Sequence, residues 1–309
     1  MNPTGPTIDL AFVVATKDRR VDLCTLLESL AAQSRPVRQI VIVDASSEPV
    51  DSVVGEYPQL RITYLRHLPP SAATQRNVGV AAVEETIGLI GFFDDDIVLE
   101  PDAIEKMAAF WAEAPAEVGG ASFNIMNPTP TGGRWLKRSR LCTALGLYRP
   151  HTGQVAPSGW QTVMDTVENT CCVDWLPTTA VVWRRDVFRK AHFDDFFEGY
   201  SYLEDLDFSF GLGKLYKLAV VSDARYRHYP SLRGRIDLYK FGRIELTNRL
   251  YFVRKHGLSV LRCYLGLGIR LLLTLLDFCR GGKITSLQRA CGNLRELARN
   301  LWLDLIPRS

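Results

Sequence analysis

The chain has 309 residues, 47% of them hydrophobic and 23% charged, enough to bury one large core with or without an appendage and too apolar for a disordered chain. The net charge of +3 conceals a gradient: residues 225–309 hold 17 Lys+Arg against 5 Asp+Glu, whereas residues 1–224 hold 20 against 29. Seven cysteines (24, 142, 171, 172, 263, 279 and 291) without CxxC spacing argue against a disulfide framework or a zinc site and for reduced thiols in a cytoplasmic chain.

The opening, MNPTGPTIDLAFVVATKDRR, lacks a basic segment followed by a full apolar run, so no signal peptide is expected. Its β-branched stretch IDLAFVVAT (8–16) predicts a strand, and RVDLCTLLESLAAQS (20–34) has apolar residues at helical spacing. RQIVIVDASSE (38–48) and RITYLRH (61–67) predict two further strands, SAATQRNVGVAAVEE (71–85) a helix, and IGLIGFFDDD (87–96) a fourth strand. This alternation predicts a doubly wound α/β fold with a mostly parallel sheet flanked by helices. Ligands of such sheets sit at the carboxyl ends of the strands. Those ends carry Thr16, Lys17 and Asp18, then Asp44, then Asp94, Asp95 and Asp96.

The three consecutive aspartates need a reason, because adjacent like charges repel. A helix start at PDAIEKMAAFWAEA (101–114) already has Pro101 and Asp102 as its signals, so capping does not require them. Hard carboxylate oxygens at a strand end suit Mg²⁺ or Mn²⁺, and such ions typically bridge substrate phosphates. The outer two acids of a strand-end triplet point to one side, which makes Asp96 the stronger ligand candidate and turns Asp95 the other way.

Together these segments resemble the GT-A glycosyltransferases of family 2. The triplet resembles their DxD motif. VVATKDR resembles the first-strand segment, with Asp18 and Arg19 where an Asn/Asp-Arg pair is common. IVIVDASS resembles VDDGS but has Ala45 and Ser46, and SAATQRN keeps Arg76 and Asn77 of G-x-x-x-A-R-N while substituting Ser71 and Gln75. YLEDLDFSF keeps a Glu-Asp pair, Glu204 and Asp205, and RYRHYPS keeps a late histidine, His228. The resemblance covers about residues 8–230. It implies a nucleoside-diphosphate sugar donor held by Thr16, Asp18, Arg19, Asp44, Arg76, Asn77, Asp94 and Asp95. Asp44 would accept the imide N–H of the base, with uracil, thymine and guanine all open, and Arg76 would face the diphosphate. It further implies Mn²⁺ or Mg²⁺ on Asp94, Asp96 and His228.

Sugar transfer to a hydroxyl requires a proton acceptor. EGYSYLEDLDFSFGLGK offers Glu198, Glu204, Asp205 and Asp207 at a loop-to-helix junction, where the helix dipole alone would explain one or two acids. The resemblance selects Asp205 as base with Glu204 beside it, and implies inversion at the anomeric carbon. Residues 115–175 are rich in Pro, Gly and Thr and read as long loops for an acceptor. Trp135, Trp160 and Trp175 there are either sugar-stacking platforms or core.

Residues 231–309 form a separate, helical and basic region behind a catalytic domain of 1–230. DLYKFGRIELTNRLYFVRKHG (237–257) mixes apolar and basic residues at helical spacing, and LSVLRCYLGLGIRLLLTLLDF (258–278) carries Arg262 and Arg270, unlike a membrane span. An anionic membrane surface, the catalytic body or a second protomer in a homodimer are its candidate partners. A nucleic-acid partner is not expected, because no RRM, KH or helix-turn-helix pattern is present. A sugar-phosphate nucleotidyltransferase would want glycines after the first strand, and ATKDRRVD has none. The expected role is assembly of a lipid-linked or cell-surface glycan by a cytoplasmic protein, peripheral at the inner membrane face.

Overall fold

A computed structural model describes residues 8–128, 139–197, 199–231, 237–280 and 284–305 of the chain. They fall into two compact units, one of residues 8–128, 163–197 and 199–231, the other of residues 139–162, 237–280 and 284–305. Residues 139–162 thus belong with the C-terminal helices.

The first unit is built on one sheet. Its opening strands are β1 (Ile8–Thr16), β2 (Val37–Asp44), β3 (Ile62–Arg66) and β4 (Leu89–Asp94), alternating with helices α1 (Arg20–Ala31), α2 (Val53–Glu56) and α3 (Ala72–Ala81). They lie in the order β3-β2-β1-β4, all parallel, as the alternation of apolar runs predicts. Beyond β4 the sheet changes character. After β5 (Ile97–Leu99), α4 (Ala103–Glu113) and β6 (Val118–Ile125) come β7 (Cys171–Val173), β8 (Ala180–Arg184) and, after later elements, β9 (Lys217–His228). The order continues β8-β6-β9-β5, with β8 antiparallel to β4 and β6, β9 parallel to β6, and β5 and β7 antiparallel to β9. The loop-like composition of 115–175 therefore hides the eight-residue strand β6, whose Val-Gly-Gly-Ala-Ser start is too small and polar to show as an apolar run.

Burial on both faces explains the uninterrupted apolar sequences of the inner strands. Phe12 stacks on Phe93 with centroids 3.8 Å apart, and Phe123 leans on both. Gly79 brings α3 hard against Val13 of β1, where any Cβ would clash. Arg76 sits one helical turn earlier and is fixed by that approach.

In the second unit, α5 (Arg140–Ala144) is followed by α7 (Leu238–Lys255), α8 (Val260–Cys279) and α9 (Ile284–Leu305); α6, of the first unit, is Glu204–Gly213. Gly242 and Gly292 let α7 and α9 meet backbone to backbone. Their buried charge is compensated: Arg289 grips both oxygens of Glu245 at 2.9 and 2.6 Å, with Arg270 at 3.6 Å. Among the described residues no helix is long and apolar enough to cross a membrane.

Candidate active site

Strand register assembles the floor of the site. Thr16 pairs with Asp44, Asp44 with Arg66, and Ala15 with Asp94, so four strands end on one line. Asp44 is fully buried. Its Oδ1 accepts from the Ser46 N–H at 2.7 Å, and its Oδ2 from Val50 N–H, Tyr64 O–H and Arg66 Nη1 at 3.1, 2.6 and 2.8 Å. Burial alone would push its carboxyl up, but the bonds from Ser46, Tyr64 and Val50 outweigh it and hold Asp44 below the ordinary carboxylate range. Asp44 is therefore ionised and saturated with donors, of which Arg66 is the most open to solvent.

The loop after β1 is locked to the loop after β2. Asp18, with φ of 55°, accepts from the Ser47 N–H at 2.7 Å and donates its own N–H to Ser46 Oγ at 2.7 Å. Gln75 donates to the carbonyls of Thr16 and Val43 at 3.1 and 2.8 Å, tying α3 to the ends of β1 and β2. Thr16 points inward and donates to Asp95 Oδ2 at 2.7 Å, while Arg19 donates to Asp95 Oδ1 at 3.1 Å. Asp95 is thus turned away from its neighbours, and burial pushes its carboxyl up to about 7 against the pull of Arg19 and Thr16.

Asp94, Asp96 and His228 converge, with one potential ligand atom from each lying within 4.8 Å of the others. Asp96 Oδ1 is 3.0 Å from His228 Nε2, and its Oδ2 accepts from the Ser231 N–H at 2.9 Å. Asp96 is drawn below its ordinary value: burial opposes this, but His228 and the Ser231 N–H outweigh it. His228 is raised, because Asp96 more than offsets its burial. The Asn127 side chain holds the His228 backbone, accepting from its N–H at 2.8 Å and donating to its carbonyl at 2.9 Å. Two carboxylates and an imidazole suit a divalent cation of the Mg²⁺ or Mn²⁺ kind.

Arg76 links this cluster to the acids of α6. It donates to Asp94 Oδ1 at 3.0 Å and to Glu204 through its other terminal nitrogen, with Phe193 beneath it at 5.7 Å. Asn77 does not turn toward the strand ends: its amide clasps the Phe193 backbone at 2.8 and 2.9 Å. Residues Ser201 and Leu203 have φ of 49° and 76°, and this left-handed path delivers Glu204 and Asp205 at the start of α6. Glu204 is buried, and its carboxyl is pushed up by that burial and by Asp205, against the Arg76 guanidinium that pairs with it. Asp205 is half-buried and is pushed up to about 6 by burial and Asp94, although the Leu206 N–H and Arg76 favour its charge. A carboxylate of that strength is ionised at neutral pH and more basic than an ordinary one.

Sequence reasoning overlooked Tyr64, Arg66, Gln75, Asn127 and Ser231. Arg66 had a signal, being the last residue of a strand beside Asp44. The other four are fixed by tertiary contacts alone. Trp160 and Trp175 are buried, so they are core and not platforms for a sugar. Trp135 and Glu198 lie outside the described residues. Among the described residues, His67, His151, His192 and His256 join no group of potential metal ligands.

Residues 11–166 match the model of the family described as Glycosyl transferase family 2. A Bacillus subtilis (strain 168) protein, "Uncharacterized glycosyltransferase YwdF", is 36% identical over 126 residues, which is 39% of this chain and 46% of that one. The match thus spans under half of that relative. Among solved structures, the Pyrobaculum calidifontis mannosyltransferase PcManGT in complex with GDP-Man and Mn²⁺ superposes with a TM-score of 0.56 at 13% identity, over 99% of this chain and 90% of that one. S. aureus TarS superposes with a TM-score of 0.53 at 16% identity, over 84% of this chain and 42% of that one. Its 1–349 form in complex with UDP-GlcNAc gives 0.51 at 14% identity, over 97% and 93%. At such identities the likeness is one of fold.

Proposed function

The chain belongs to glycosyl transferase family 2, and from that premise we propose that it moves a sugar from a nucleoside-diphosphate sugar to a hydroxyl of a glycan or lipid-linked saccharide, in cell-surface polysaccharide synthesis. The observation that carries this reading is the convergence of Asp94, Asp96 and His228 beside the Arg76–Glu204 pair and Asp205.

Asp94, Asp96 and His228 would hold Mn²⁺ or Mg²⁺, and the fit rests on their donor set and spacing. When bound, the cation neutralises charge on the diphosphate. Arg76 is the fixed cation on the same side, and it needs no proton accounting. Asp44 closes the far end of the strand line and holds Tyr64 and Arg66 in place, and of the three Arg66 is the one open to solvent and so to a base. Asp18 and Arg19 stiffen the loop between these ends, Thr16 and Asp95 brace it from within, and Asn77 secures the segment under Arg76.

Asp205 takes the acceptor's proton as the hydroxyl oxygen bonds to the anomeric carbon. The bond from that carbon to the diphosphate breaks in the same displacement, and the diphosphate leaves with the electron pair. A single displacement inverts the configuration. Glu204 keeps Arg76 aimed at Asp94, so its role is positioning. PcManGT and TarS, with GDP-Man and UDP-GlcNAc in their structures, suggest which donors to try first.

The test is calorimetry of UDP, GDP and dTDP with and without Mn²⁺, on the wild type, Asp96→Ala and Asp44→Ala. Metal-dependent binding of one diphosphate, lost in Asp96→Ala and weakened in Asp44→Ala, is expected. Binding of none would overturn the reading.

A further inference from the structure

Helix α8 has two unlike faces. Cys263 and Leu267 are buried, and Arg270, one turn on, stacks over Trp160 at 5.0 Å and reaches Glu245 at 3.6 Å. Half a turn away lie Leu261, Leu265, Leu272 and Leu276, exposed at 80, 47, 57 and 42%. Spacings of four, seven and four keep them on one stripe, roughly 22 Å long at 1.5 Å per residue. Scattered single leucines on a surface need no explanation, but a four-membered stripe along one helix does.

The occupant of the stripe is constrained by charge. Arg262 and Arg280 are exposed beside its two ends, and residues 225–309 carry 17 Lys+Arg against 5 Asp+Glu. A second copy of the same basic region would meet this face with like charge. Anionic headgroups would meet it with opposite charge, and acyl chains would take the leucines. Insertion across the bilayer is excluded for this helix by its apolar length.

We propose that α8 lies flat on an anionic lipid bilayer, with Leu261, Leu265, Leu272 and Leu276 in the acyl boundary and Arg262 and Arg280 among the headgroups. The inference stands apart from the sugar-transfer reading, because its test contains neither donor nor acceptor.

The full chain is sedimented with phosphatidylcholine vesicles with and without phosphatidylglycerol, at low and high salt. Binding only with phosphatidylglycerol, weakened by salt, is expected. Leu265→Glu and Leu272→Glu should each lower the partition coefficient by roughly tenfold, the scale of withdrawing one leucine from an apolar phase. Far-UV circular dichroism checks that these variants fold. Should they not, Arg262→Gln with Arg280→Gln leaves the apolar face intact and should flatten the salt dependence. No sedimentation with anionic vesicles overturns the proposal, as does wild-type partition by the leucine variants. Light scattering supplies the remaining outcome: a dimer that Leu272→Glu dissociates, without vesicle binding, would assign the stripe to a second copy instead.

Discussion

His228 Nε2 lies 3.0 Å from Asp96 Oδ1, across 132 positions of sequence. The β5–β9 ladder makes this approach, pairing Ile97 with His228 immediately beyond the aspartate. The two residues therefore meet because strands meet, and the side-chain geometry is set by backbone register.

Asn127 gives the first prediction. It fixes His228 without belonging to the proposed ligand set, as outer partners of metal ligands commonly do. Asn127→Ala should weaken Mn²⁺-dependent diphosphate binding by about 10–100-fold, whereas His228→Ala and Asp96→Ala should remove its metal dependence altogether. Calorimetry with and without Mn²⁺ checks this. Equal affinity in Asn127→Ala and wild type would assign Asn127 to folding alone.

Arg76 and Glu204 form a buried pair whose rupture leaves one charge alone. Arg76→Met should destabilise the protein by about 3–5 kcal/mol. Arg76→Met with Glu204→Gln should regain most of that loss while still failing to bind a diphosphate. Urea denaturation measures the first effect and calorimetry the second.

Asp205 gives a pH profile. With its carboxyl raised to about 6, Asp205 is ionised above that pH, so in its proposed role as base it should make kcat/KM fall about tenfold per unit below it. Asp205→Asn should lower kcat by about 10²–10⁴ and abolish that limb. Stability runs the other way. A raised carboxyl makes the folded chain bind more protons than the unfolded one, so its contribution falls as pH rises from the ordinary carboxylate range through about 6. Asp205→Asn should remove that slope.

Asp44 has the opposite sign. Its carboxyl is held low in the folded protein, so its contribution is fully present above the ordinary carboxylate value and is lost as pH falls through the lowered one. Asp44→Asn should cost about 2–4 kcal/mol at neutral pH, where several charge-assisted bonds are lost, and nearly nothing in strong acid. Denaturation at stepped pH reads the difference.

Much of the strand-end chemistry was legible because apolar runs announce parallel strands, and their last residues must then be neighbours. That reasoning places Asp44, Asp94 and Asp96 at neighbouring strand ends, and strand alternation turns Asp95 the other way from its two neighbours, toward Thr16 and Arg19 in the structure. Gln75 and Asn127 were not legible, since an amide's choice of carbonyl depends on what packs opposite it. Strand β6 was missed because its small and polar residues imitate a loop, although all but its last residue are buried. Residues 139–162 gave no sign of belonging with the C-terminal helices, because Trp160 meets Arg249 and Arg270 only after folding.

That last partnership has a consequence during synthesis. The Gly159 carbonyl is held by Arg249, 90 positions later in the chain. At about 5–20 residues per second, a ribosome needs about 5–18 seconds to deliver the arginine. For that interval Trp160 and its neighbours have been made but not their partners. The second unit thus closes only once α7 and α8 have been made, and a messenger truncated before α7 would release a chain whose Trp160 has lost its place.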